Sequence, residues 1–86
     1  MKKTVNMWVD RSGKLGILEM EDAVFGQCFR PILLSSLEKR EYRFIKGLWY
    51  TTYSGARQFF RQESNPYQVQ GRMRKIPLEE PFRQVV

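Results

Sequence analysis

Cationic and aromatic side chains interleave through the later part of the chain in the order Arg43, Lys46, Trp49, Tyr50, Tyr53, Arg57, Arg61, Arg72, Arg74 and Lys75. Single-stranded nucleic acid asks for this pairing, because its phosphates take cations and its unstacked bases take flat rings. Each stacked base contributes about 1 to 3 kcal/mol, so two exposed rings are enough to matter. A second pattern lies between Tyr67 and Ile76. As a strand, this stretch sets Gln68, Gln70, Arg72 and Arg74 on one side and Tyr67, Val69, Gly71 and Met73 on the other, a polar row spaced for phosphate contacts. Folding alone accounts for the same residues if the rings, above all Phe44, Phe59 and Phe60, build the core and the cations solvate the exterior.

The charge is distributed unevenly. The 86 residues carry fifteen Lys and Arg, nine Asp and Glu and no histidine, for a net charge of +6. Up to Gly26 the signs cancel, with Lys2, Lys3, Arg11 and Lys14 against Asp10, Glu19, Glu21 and Asp22. Between Gln27 and Pro77 ten basic residues face only Glu38, Glu41 and Glu63, and the last residues hold Glu79, Glu80 and Arg83. The basic excess therefore coincides with Tyr42, Trp49, Tyr50, Tyr53 and Tyr67. Co-localised charge and ring surface is the electrostatic footprint of a nucleic-acid binder.

Catalytic readings weaken for chemical reasons. Without histidine the chain lacks the commonest general base near neutrality and the commonest metal ligand. Cys28, flanked by Gln27 and Phe29 and close to Arg30, forms no thiolate ligand set and reads as a buried structural thiol. Glu19, Glu21 and Asp22, like Glu79 and Glu80, lack the ligand spacing of a calcium loop. There is no phosphate-cradling glycine loop, dinucleotide fingerprint or serine elbow. The expectation is a non-enzymatic protein with no catalytic residue, no cofactor and no metal. The stretch from Thr4 to Asp10 is broken by Asn6 and ends in a charge, so it is no signal-peptide core, and no apolar run approaches membrane-spanning length. A cytoplasmic protein without membrane contact is expected.

Two functions fit. The first is a small basic domain that binds RNA or single-stranded DNA through its basic, aromatic face. The alternative is a protein-interaction module, an inhibitor or recruitment factor of the kind phages and other mobile elements encode, that docks the same face on an acidic protein and uses Trp49, Tyr50 and the arginines as anchors. Self-association through an edge at Pro31 or through the Phe82-containing tail is compatible with either, so monomer and homodimer both stand.

These side chains need a scaffold, and the hydrophobic pattern calls for a mainly β one. Val5, Met7 and Val9 alternate with Thr4, Asn6 and Trp8, and Asp10 to Lys14 has a turn acceptor at Asp10 and a glycine at 13, so a hairpin to a strand over Leu15 to Glu21 follows. Cys28 to Leu34 is apolar but holds Pro31, which places it at an edge or a strand start. Ser35 to Glu38 resembles a capping box that opens a short helix or turn through Arg40. Strands are expected around Tyr42 to Ile45 and Leu48 to Tyr53, joined at Lys46-Gly47. Ser54-Gly55 then turns into a strand over Ala56 to Glu63, or caps a helix there, since Ala56, Phe59 and Phe60 also fit helical spacing. With a last strand from Tyr67 to Ile76, the sum is a small antiparallel SH3-like or OB-like barrel of five to six strands in one domain over residues 1–77, with 78–86 as an arm or tail. The rival is an α+β fold, in which one helix near 56–63 packs on a curled sheet.

Overall fold

The alternation at the start of the chain produces the expected hairpin. In the computed structural model, which describes residues 3–22, 24, 26–36, 38–45, 47–62, 64–76 and 82–84, β1 spans Lys3–Val9 and β2 spans Leu15–Asp22. Strands β3 (Gly26–Ser36) and β4 (Glu41–Phe44) continue the antiparallel meander. A helix, α1 (Tyr53–Phe59), follows, then the short strands β5 (Arg74–Ile76) and β6 (Arg83–Gln84). The order across the sheet is β5-β1-β2-β3-β4-β6, with β5 antiparallel to β1 and β6 parallel to β4. The fold is mainly β, as expected, and it also carries the helix of the α+β alternative.

Both faces of the sheet are apolar. Met7, Val9, Leu18, Met20, Cys28, Ile32, Leu34 and Tyr42 line the inner face, where Met7, Val9, Leu18 and Ile32 have no exposed surface. The helix packs on β2 and β3 from the opposite side, so the inner face is sealed by the curl of the sheet and by Phe82. Register shifts between Thr4 and Asn6 and between Leu34 and Ser36 mark bulges, which increase strand twist. Part of the C-terminal arm is thereby docked: Phe82 is buried, and the Arg40 guanidinium lies 5.1 Å from its ring centre. The outer face holds Leu15, Ile17 and Phe29, covered by Ala56 and Phe60 of the helical segment and by Tyr67, Val69 and Met73.

Three local expectations are corrected. Pro31 lies inside β3, an interior strand, opposite Ile17. Its missing N–H is harmless there, because β4 has left the sheet: Phe44 pairs with Ile32, Tyr50 exchanges both backbone hydrogen bonds with Phe29, and residues between them loop away. Leu48 to Tyr53 is thus a single bridge and the start of a helix, while Lys46, the expected turn residue, lies outside the described residues. The segment from Ala56 is helical, and its cap is Thr52, whose Oγ1 accepts the Gly55 N–H at 3.0 Å, two residues before the Ser54 cap that the sequence offers. Of the helix or turn expected through Arg40, the chain forms the turn: Ser36 Oγ accepts the Lys39 N–H and Arg40 takes a positive φ of 56°.

The largest departure concerns residues 67–76, where only Arg74–Ile76 pair as a strand. Side chains hold the rest of the segment. Asn65 donates to the Phe59 carbonyl and accepts the Tyr67 N–H, and Gln68 Nε2 donates to the carbonyls of Gln62 and Asn65. Gly71 turns the backbone through φ 68°, against the side chain of Arg11. The Gln70 N–H donates to Asp10 Oδ2 at 2.9 Å, while Asp10 Oδ1 accepts from the Ser12 hydroxyl and the Gly13 and Leu15 N–H groups. The polar row of a continuous strand therefore does not form.

Asp10 is fully buried. Burial alone would push its carboxyl up, but the donors from Gln70, Ser12, Leu15 and Gly13 hold it below its ordinary value. A depressed folded value means that the carboxylate's contribution is complete above about pH 4 and is lost as pH falls through the folded value. Asp10→Asn should lower stability at neutral pH by about 1 to 3 kcal/mol. Thermal melts followed by circular dichroism should show that deficit shrinking below about pH 4; a deficit independent of pH would contradict the ionised clasp.

Candidate nucleic-acid interface

Helical spacing places Tyr53, Arg57 and Arg61 in one row, four residues apart, with Ser54 and Gln58 beside them. Together these five side chains line a cleft of about 250 Å³ on one flank of α1. Tyr53 is half-buried, its ring 4.8 Å from that of Trp8 and inclined at 52°. Phe29 completes the cluster at 6.2 Å from Trp8 and 6.4 Å from Tyr53. At these separations the three rings fill one another's space, so they form a packed aromatic wall and leave no cage between them.

The other flank of the helical segment is apolar. Ile45, Leu48, Phe59, Pro66 and Tyr67 line a second cleft of about 380 Å³, whose polar edge is Gln62, Ser64 and Asn65. A helix is about 10 Å across with its side chains, so the cationic and apolar clefts lie on the order of 10 Å apart. Their spacing rests on three tethers. Ala56 and Phe60 are buried against the outer sheet face, Asn65 Nδ2 donates to the Phe59 carbonyl at the end of the helix, and Thr52 caps its start.

The ten residues expected at a site divide into groups. Tyr53, Arg57 and Arg61 share the cationic cleft. Lys75 is exposed on β5 directly opposite Trp8, so it belongs to the same face of the sheet as the Trp8–Tyr53 stack. Arg74, its neighbour, is exposed opposite Val9 and belongs to the other face. Arg72 is exposed beside the Gly71 turn, Arg43 is exposed on β4 opposite Leu33, and Lys46 lies outside the described residues. Tyr50 is half-buried and pinned by its two backbone bonds to Phe29, whereas Trp49 is 42% exposed. The structure thus brings three of the ten, Tyr53, Arg57 and Arg61, into one cleft at α1 and spreads the described others.

Trp8 is a site residue that the sequence pattern does not select. The available signal is a tryptophan on the polar side of an alternating strand, where a solvated side chain is the rule. Arg30 is likewise not selected, and its place is structural. Its guanidinium carbon sits 3.6 Å from the centre of the Phe44 ring and its Nε–H donates to the Leu48 carbonyl at 3.0 Å, which ties down the loop after β4. Burial pulls the Arg30 guanidinium below its ordinary value against support from Cys28 and Tyr42, and burial raises the Tyr42 phenol while Arg30 opposes the rise. Glu19, one of the acids in the β2 strand, is buried with its carboxylate held by the amides of Asn6 (2.8 Å) and Gln27, and Cys28 is buried in the inner core. Among the described residues no three acidic or cysteine side chains converge on a common point. No described helix is long and apolar enough to cross a membrane.

Comparison with protein-family models, curated proteins and solved structures returns no significant match to this chain. The functional reading stands on the geometry of the two clefts.

Thr52→Ala removes the helix cap and should cost about 0.5 to 2 kcal/mol. Hydrogen exchange of the Gly55 and Ala56 amides should speed up in the variant while the β1–β2 hairpin stays protected. Equal acceleration throughout the chain would show that α1 is not held locally by its cap.

Proposed function

We propose that this chain is a non-enzymatic domain that binds RNA or single-stranded DNA across α1. The observation that carries the reading is the pair of clefts on opposite flanks of one helical segment, one lined by Arg57 and Arg61 and the other by Phe59, Tyr67, Leu48 and Ile45. A single strand crossing the segment would set phosphate against guanidinium on one side and a base against rings on the other. The roughly 10 Å between the clefts matches the span of one or two nucleotides of an extended strand. Lys75 beside Trp8 adds a cation at the far end of the aromatic wall. Nothing in this arrangement calls for a nucleophile, a proton acceptor or a cofactor, and a cytoplasmic setting is part of the proposal.

The rival, docking on an acidic protein, draws support from the exposure of Trp49 and Val24, two apolar side chains outside both clefts. A homodimer built on Pro31 or Phe82 gains nothing, since both side chains are buried within the chain. Capture from a nuclease-treated lysate separates the readings, because a protein partner survives the treatment and a nucleic-acid bridge does not.

Titration of a fluorescent single-stranded oligonucleotide at several salt concentrations tests the proposal. The logarithm of affinity should fall linearly with that of salt, and Arg57→Ala with Arg61→Ala should reduce the slope by about 0.7 for each phosphate no longer neutralised. Phe59→Leu or Tyr67→Leu should weaken binding at unchanged slope. With no histidine in the chain, affinity should vary little between about pH 6 and 8. No binding at low salt would overturn the reading.

A further inference from the structure

Within the cationic cleft, Arg57 Nη1 is buried and has no hydrogen-bond partner among the described residues. A buried guanidinium N–H without an acceptor is costly, and the flexible arginine stem could relieve it by swinging into water. The residue as a whole is half-buried. Arg61, in the turn just beyond the end of α1, lines the same cleft and adds a second positive charge. The other lining groups are the hydroxyls of Tyr53 and Ser54 and the amide of Gln58, all able to donate, and no carboxylate among the described residues lines the cleft. One bound oxyanion would satisfy the orphaned donor and neutralise both guanidinium groups.

We infer that this cleft is a phosphate subsite in which Arg57 supplies the central, buried donor and Arg61, Ser54 and Gln58 close around the remaining oxygens. The inference rests on the nucleic-acid reading and sharpens it: the ligand is a phosphodiester group whose neighbouring base lies across α1 in the apolar cleft. A tetrahedral oxyanion accepts several charge-assisted bonds at once, and the planar guanidinium offers two parallel donors to it. The subsite therefore distinguishes Arg57 from the exposed Arg43, Arg72 and Arg74, which can contribute only diffuse attraction.

The test compares thermal melting in inorganic phosphate and in chloride at equal ionic strength, for the unmodified chain and for Arg57→Met. Phosphate should raise the melting temperature of the unmodified chain saturably. Arg57→Met, relieved of its orphaned donor, should melt higher than the parent in chloride, gain nothing from phosphate and bind the oligonucleotide at least tenfold more weakly. If Arg57→Met does not fold, Arg57→Lys keeps the charge without the fork and should still bind phosphate about tenfold more weakly than the parent. An equal phosphate increment in parent and variant overturns the subsite, as does a larger increment from an oligoglutamate peptide than from phosphate. Oligonucleotide binding that is indifferent to Arg57 overturns the subsite and leaves the broader reading in place. Phosphate binding through Arg57 without oligonucleotide binding does the reverse.

Discussion

One buried carboxylate organises the molecule at its most crowded end. Asp10 sits where β1 turns into β2, and it accepts from its own turn and from the Gln70 amide sixty residues away. Any substitute must offer acceptors to the same donors in the same space, above all to the buried Leu15 N–H. Through that bond the chain from Tyr67 to Met73 is laid along the outer sheet face, where Tyr67, Val69 and Met73 complete the hydrophobic cluster under the helix. The position of α1, and with it the two clefts, therefore depends on an interaction made two residues beyond Trp8, where β1 ends.

The sheet presents two apolar faces, and the chain has only 86 residues with which to cover them. A helix of seven residues and an irregular segment serve for the outer face, and curvature together with Phe82 serves for the inner. Doubling up in this way leaves little of the chain that is merely connection. It also explains why rings that suit a binding surface are half-buried: Tyr53 and Trp8 contribute to the outer cluster while Tyr53 also borders the cationic cleft.

How much of this is legible in the sequence depends on the distance over which each decision is made. The β1–β2 hairpin is readable because Asp10 and Gly13 act within five residues of one another, and Gly13 does take the left-handed conformation, φ 75°. Pro31 misleads because the rule that bars proline from interior strands concerns a neighbour's carbonyl, and the departure of β4 at that point is a tertiary event. The strand expected over residues 67–73 fails for a similar reason, since its Tyr67 and Gln70 N–H groups go to the Asn65 and Asp10 side chains rather than to a ladder. At the site, residue type alone points to Tyr53, Arg57 and Arg61, but reading their segment as a strand hides the four-residue spacing that makes them a cleft. Trp8 stays hidden because its partner ring lies forty-five positions away in sequence.

The two rims of the sheet are stubs, three residues in β5 and two in β6. Long rims are templates on which a second copy can add its own strand, and a basic, ring-rich protein crowded along a polymer would be exposed to that hazard. Here the longest strands, β2 and β3 with eight and eleven residues, lie at the centre of the sheet, and the rim strands outside β1 and β4 are short. Strand addition at either described rim is thereby left with few backbone groups to pair with.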